Sequence, residues 1–193
     1  MPSIITHAAV PLALWCAADR GRIPSWLLAA GVVAAMLPDA DVLAFALHIP
    51  YADAFGHRGA SHSLLFACVL AMLAALLAFF GSRRPWSAGL CQPRLAPTTQ
   101  AAVFIFICAA SHPLLDAMTS GGLGVALAWP WSEQRFFAPW RPIRVSPFAP
   151  QFFSARGMAT LLSELRWVWL PLAGAVVTWK LIQPAPAAPR DPS

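Results

Sequence analysis

HSLLFACVLAMLAALLAFF, residues His62 to Phe80, decides the fold of this chain. From Leu64 onward it holds only Leu, Phe, Ala, Cys, Val and Met. A helix needs about 20 predominantly apolar residues to cross a bilayer, with about 17 as the lower end. Working outward, three further stretches approach that length. Trp26 to Ile49 is apolar but interrupted by Asp39 and Asp41. Thr99 to Met118 is apolar until His112 and Asp116. Trp167 to Ile182 is shorter and contains Pro171. A fifth stretch, Ile4 to Ala18, is marginal in length. It lacks the basic start of a signal peptide and carries His7, so it is expected to stay in the mature protein.

Composition supports the same class. The chain of 193 residues is 59% hydrophobic and 11% charged, with a mean hydropathy of +0.62. A soluble domain carries about a quarter charged residues, so this chain cannot cover a globular surface with polar groups. The expected fold is all-α: a polytopic membrane helical bundle of about four to five transmembrane or half-inserted helices. One membrane-embedded domain is expected over residues 1–183, with a long aromatic and Arg-rich loop at 119–163 and a disordered tail at 184–193. Cys16, Cys68 and Cys108 lie in apolar segments and Cys91 in a loop, with no CxxC pair, so they read as buried small apolar residues. The net charge of +5 comes almost entirely from arginine. In a membrane chain that reports topology and anionic headgroups, and no nucleic-acid partner is expected.

The ionisable residues gather in short motifs at the ends of the apolar segments. These are His7, then Pro38-Asp39-Ala40-Asp41, then His57-Arg58-Gly59-Ala60-Ser61-His62, then Ser111-His112-Pro113-Leu114-Leu115-Asp116. Charge at a membrane edge is costly without a partner and reads as functional. If successive segments alternate direction, all four motifs fall at the same end of the bundle. The connections at the other end carry Arg20, Arg22, Arg83, Arg84 and Arg94. The positive-inside tendency puts those in the cytoplasm and the motif face, in a bacterium, toward the periplasm.

His112 and Asp116 stand four apart, so on a helix they share a face and can reach one ion. Pro113 removes a backbone donor beside His112 and suits a first turn or a kink. Asp39 and Asp41 cannot both cap one helix. One can bind metal while the other bridges to a second ion or orients a histidine. Gly59 permits a tight turn between His57 and His62, and Ser61 is placed to cap the segment that follows. Arg58 is the expected anion-binding group, since a guanidinium matches phosphate in bidentate fashion. His48 stands alone after an apolar run and reads as structural. The aromatic loop, with Trp129-Pro130-Trp131, Phe136-Phe137, Trp140, Phe148 and Phe152-Phe153, reads as an interfacial belt or as a lid over the site. The candidate metal ligands are His7, Asp39, Asp41, His57, His62, His112 and Asp116. That set suffices for one or two divalent ions, of which zinc best suits mixed His and Asp donors. Two such ions suit phosphoester cleavage.

Several pieces resemble the YdjM-like family of inner-membrane proteins read as metal-dependent hydrolases. They are His7, Leu37-Pro38-Asp39-Ala40-Asp41, Phe55-Gly56-His57-Arg58-Gly59-Ala60-Ser61-His62-Ser63-Leu64, Ser111-His112 through Asp116 to Thr119, and Trp129-Pro130 followed by Arg135-Phe136. That family is similar in turn to the zinc-dependent phospholipase C and S1/P1 nuclease group. The resemblance implies that His112 and Asp116 are ligands, that one of Asp39/Asp41 and one of His57/His62 complete that ion, and that His7 with Asp116 holds a second. No histidine follows His112, so the trinuclear cluster of the soluble group is not complete here.

The function expected from these residues is a bacterial inner-membrane, metal-dependent hydrolase acting on a phosphoester, either a lipid or a small molecule, through metal-activated water. Asp39, Asp41 and His57 are the catalytic candidates, and Arg58 and Arg135 would hold the substrate. The alternative is a non-catalytic membrane protein that binds metal or lipid.

Overall fold

The computed structural model describes residues 1–19, 22–82, 97–147 and 149–183. Arg20, Arg83, Arg84, Cys91, Arg94, Phe148 and the tail 184–193 lie outside the described residues. A 3-10 turn at Ile4–Ala8 leads into α1 (Ala9–Ala17). Helix α2 (Ser25–Met36) runs on through a 3-10 segment, Leu37–Val42, into the short α3 (Leu43–Ala46). Then come α4 (Leu64–Ser82) and α5 (Thr98–Ala117). The last helical run is α6 (Ala155–Glu164), a π-helical turn Leu165–Trp169 and α7 (Leu170–Ile182). Among the described residues there is no β-strand, only isolated bridges at Thr119–Ile143 and Val125–Phe136.

Four of these runs are long and apolar enough to cross a membrane: Ser25–Ala46, Leu64–Gly81, Thr98–Ala117 and Ala155–Ile182. Asp39 and Asp41 do not break the first, because the backbone absorbs them by tightening from α to 3-10 at Leu37. Ile4–Ala17 is shorter, and it packs against α2 and α7.

The loop expected at 119–163 is partly helical, which corrects the sequence reading. Its residues 155–163 belong to α6, which ends at Glu164. Helix α6 is amphipathic in the sense opposite to a soluble helix. Gly157, Thr160 and Glu164 are buried, whereas Met158, Leu162 and Leu165 are exposed. That inversion belongs to a helix whose outer face meets lipid. Glu164 hides the span from a hydropathy reading, yet it turns inward. Its Oε1 accepts the Ser3 backbone N–H at 2.5 Å, and its Oε2 accepts the hydroxyls of Ser3 at 2.6 Å and Thr6 at 2.8 Å. Trp169 Nε1 donates to Thr6 Oγ1 at 3.1 Å. The N-terminal turn that carries His7 is thus clasped to the last helix.

The core is built from small residues. Leu27, Ala34, Ala35, Ala67, Ala101, Phe104, Cys108 and Ala109 form one buried cluster. Small side chains let helix backbones approach closely, which replaces the weak hydrophobic drive inside lipid. Gly31 is where this is tightest. A Cβ there would collide with the Phe104 ring and press on Cys108 Sγ at 3.0 Å. The outer faces are apolar, with Val69, Met72, Leu76 and Leu77 of α4 exposed. Cys108 is buried as expected, but Cys16 and Cys68 lie on the exposed surface. Apolar segments in a membrane have an outward face as apolar as the inward one.

Candidate metal centre

The ends of α2, α4 and α5 converge with the N-terminal turn. They bring His7, Asp39, His62, His112 and Asp116 together, all fully or almost fully buried. Asp39, His62, His112 and Asp116 each offer one ligand atom, and those atoms all lie within 4.8 Å of one another. His62 Nε2 stands 2.9 Å from His112 Nε2 and 3.3 Å from Asp116 Oδ2. His112 Nε2 is 3.4 Å from Asp39 Oδ1, and His62 Nε2 is 3.9 Å from the same oxygen. Ligands about 2.0–2.1 Å from one zinc ion stand about 3.3 Å apart at tetrahedral corners. The four atoms therefore have the spacing of a coordination shell.

The ring nitrogens argue the same way. His112 Nδ1 lies 2.7 Å from the carbonyl of Ala35, which only accepts, so Nδ1 carries the proton. His62 Nδ1 faces Asp41 Oδ2 at 3.1 Å and is likewise the protonated nitrogen. In the neutral rings, both Nε2 lone pairs then point at each other at 2.9 Å. Two lone pairs need a proton or a cation between them. Burial alone would lower the His62 pKa, but Asp116 and Asp41 overcome it and raise it to about 9, so without metal the proton is retained.

Several buried polar atoms have no hydrogen-bond partner: both nitrogens of His7, both carboxylate oxygens of Asp39 and of Asp116, and Arg58 Nε. Buried charges left in this state are expensive unless a counter-charge is supplied. Arg58 supplies part of it, with Nε 3.0 Å from Asp116 Oδ2. A divalent cation fits the remainder. His7 stacks on His112, with ring centroids 3.7 Å apart. Its Nε2 lies 3.6 Å from Asp116 Oδ1 and 3.8 Å from Asp39 Oδ2. Asp39 thus turns one oxygen to His62 and His112, Asp116 turns one to His62, and each turns its other oxygen to His7.

The two aspartates expected together do different jobs. In a 3-10 helix, with three residues per turn, positions 39 and 41 cannot share a face. Asp39 enters the cluster, whereas Asp41 is surrounded by donors. Its Oδ1 is 2.5 Å from His57 Nδ1. Its Oδ2 accepts from the Arg58 backbone N–H at 2.9 Å and the Ser61 hydroxyl at 2.8 Å, besides His62. A carboxylate has about four lone-pair sites, and four donors surround this one, three of them on Oδ2. Asp41 and His57 therefore stand just outside the four-residue group, and Asp41 orients both histidines.

Arg58 takes a left-handed backbone (φ +64°), a strained state for a non-glycine residue. The turn expected at Gly59 thus falls one residue earlier, and Gly59 is needed for space, since a Cβ there would strike the Ala54 carbonyl. Besides Asp116, the Arg58 guanidinium donates to Gly121 O at 3.1 Å and Thr119 Oγ1 at 3.2 Å. Burial lowers its pKa and Asp116 raises it again, so it stays cationic. Arg135 donates to the carbonyls of His57 at 3.0 Å, Tyr51 at 3.2 Å and Asp53 at 2.9 Å. Both arginines expected to hold a substrate thus direct their donors into the protein. The cap of α4 is Ser63, whose Oγ accepts the Phe66 N–H at 3.1 Å, and not Ser61. The sequence reading gave no individual role to Ser63, Thr119, Glu164 or the hydroxyls of Ser3 and Thr6. Glu164 alone had a signal, a carboxylate between two apolar helical runs.

A family model described as "YdjM inner membrane protein" matches residues 1–187. A curated relative, "Inner membrane protein YbcI" of Escherichia coli (strain K12), is 48% identical over 172 residues, covering 89% of this chain and 92% of its own length. No solved structure matches. With the family match running over nearly the whole chain, and the helical, lipid-facing bundle it calls for in place, the chain belongs to the YdjM family of inner membrane proteins.

Proposed function

We propose that this chain is a multi-pass inner-membrane hydrolase that cleaves a phosphoester with the help of one or two divalent ions, zinc by the chemistry of its donors. The observation that carries this reading is the pair of buried carboxylates, Asp39 and Asp116, each with one oxygen toward His62 and the other toward His7, and with Arg58 as the one full counter-charge beside them among the described residues. Asp39, His62, His112 and Asp116 would hold one ion. His7 with the outer oxygens of Asp39 and Asp116 would hold a second with only three protein ligands, the pattern of a site with an exchangeable position. Such ions lower the pKa of water and offset charge on phosphoryl oxygens. Asp41 fixes the Nδ1 proton of His57, so that proton exchange with a substrate falls to Nε2. Arg58 holds Asp116 in place, with Nε 3.0 Å from its Oδ2. The site faces the periplasm in this reading, since Arg83, Arg84 and Arg94 follow the end of α4 remote from His62.

The second reading is a non-catalytic metal-binding protein. It is favoured by the four protein ligands of the first position, which would close a tetrahedral shell as structural sites do. Elemental analysis of detergent-purified protein, beside His112→Ala, separates the outcomes. One or two zinc-like ions per chain, lost in the variant, with turnover of bis(p-nitrophenyl) phosphate or phospholipid, supports the hydrolase. The same metal content without turnover supports the second reading. Absence of stoichiometric metal after reconstitution removes both.

A further inference from the structure

Beside the cluster lies a cavity of about 460 Å³, lined among others by Tyr51, His57, Arg58, Gly122 and Arg156. A second hollow of about 230 Å³, lined by Ser120, Arg144, Val145, Arg156 and Thr160, shares Val145 and Arg156 with it. The two hollows thus adjoin at Val145 and Arg156, and the larger one reaches His57. Arg58 closes its inner end with its donors turned inward. Arg144 and Arg156 are different. Both are exposed, and among the described residues neither guanidinium has an ion pair or hydrogen bond. Their backbones are held, Arg144 N–H by Ser163 Oγ at 3.0 Å and Arg156 O by Thr160 Oγ1 at 3.1 Å. Two guanidiniums without a protein partner, lining the same hollow, can clamp an anion, since each matches a phosphate in bidentate fashion.

The depth of the clamp indicates which anion. Ala155–Ile182 is a continuous helical run of 28 residues, about 42 Å long at 1.5 Å per residue. The hydrocarbon core is about 30 Å thick, so the ends of such a run reach the headgroup layers. Arg156 is in its first turn. Directly beyond it on the outer face, Met158, Leu162 and Leu165 form an exposed apolar ledge, and Phe153 is 94% exposed on the preceding turn. A phosphate-binding group at headgroup depth, Arg156, above an apolar ledge that descends into the lipid, matches an amphiphile.

We infer that Arg144 and Arg156 clamp the phosphate of an anionic phospholipid in the hollow that both line, with the acyl chains along α6 and the phosphate presented toward His57. The inference deepens the hydrolase reading of the adjoining centre and names its substrate class. The clamp is built without the metal ligands, so it is testable without the metal.

The experiment measures binding to chelator-treated, detergent-solubilised full-length protein. The probes are dihexanoyl phosphatidic acid, dihexanoyl phosphatidylcholine, glycerol 3-phosphate and inorganic phosphate. Wild type is compared with Arg144→Gln, Arg156→Gln and the double variant, each checked for monodispersity and for wild-type metal content after reconstitution. Each single variant is expected to weaken phosphatidic acid binding about tenfold, the loss of one charge-assisted contact. Phosphatidylcholine should bind wild type more weakly than phosphatidic acid. Glycerol 3-phosphate binding as tightly as phosphatidic acid, and equally sensitive to the variants, keeps the clamp but overturns the lipid. Unchanged phosphatidic acid binding in the double variant overturns the clamp. Arginine-dependent binding in a protein that never holds metal removes the hydrolase reading and leaves the clamp standing, so the two failures are distinct.

Discussion

Substituting Asp116 by Asn tests the electrostatic logic of the centre. The residue is fully buried, 3.0 Å from Arg58 Nε and 3.3 Å from His62 Nε2, with its other oxygen 3.6 Å from His7 Nε2. The amide keeps the volume and removes the charge. Arg58, 1% exposed, then sits buried without its carboxylate. Breaking a buried pair from one side costs about 3–5 kcal/mol. Arg58→Met removes the other partner and strands Asp116 in the same way. The double variant leaves neither charge unpaired, so its loss should fall short of the summed single losses by about 1–3 kcal/mol. The assay is unfolding in detergent, with chelator present so that metal does not contribute, completing the cycle of wild type, two singles and double. A parallel metal titration should show stoichiometric binding lost in Asp116→Asn, because a neutral amide oxygen is a poor substitute for the carboxylate. Additive losses in the chelated cycle would refute the argument that Arg58 and Asp116 neutralise one another.

Four further outcomes follow from the same geometry. His62 carries a proton up to a pKa of about 9 in the metal-free protein, and a ligating histidine must lose it. Zinc affinity, measured by chelator competition, should therefore rise with pH up to about 9, with a proton released on binding; a flat profile would remove His62 from the ligand set. The same raised pKa stabilises the chelated protein fully below the ordinary value near 6.5 and loses that contribution as pH rises through about 9, so its melting temperature should decline across that window. Glu164→Gln replaces an acceptor of three hydrogen bonds by a group that also donates, which should cost about 1–3 kcal/mol and loosen the turn carrying His7. Limited proteolysis should then cut within the first residues, and an unchanged digest would argue against the clasp. Asp41→Asn should leave the four-residue cluster able to bind but lower metal affinity by about 10–100-fold, as expected for a residue that orients ligands. Complete loss of metal would instead make Asp41 a ligand.

Much of this protein is written in local pattern. The run Leu64–Phe80 has to be a membrane helix, because nothing in it could face water and its length matches a bilayer. Gathering of His7, Asp39, His62, His112 and Asp116 at one end followed from counting alternating segments, since a short connection returns the chain to the face it left. The spacing of His112 and Asp116 followed from the helical repeat alone. The division of labour between Asp39 and Asp41 did not, because it depends on a local change from α to 3-10 geometry and on which face α5 occupies. Nor did the inward duty of Arg58 and Arg135, since a guanidinium at a membrane edge looks the same in sequence whether it holds a carbonyl or a phosphate. Helix α6 hid because Glu164 is polar by composition and buried only through partners some 160 residues away at Ser3 and Thr6. Sequence determined the bundle and the donors at its end, because hydropathy and helical period are properties of neighbouring residues. Tertiary structure alone decided which donors face one another and which arginines stay open, because those are set by contacts between segments far apart in the chain.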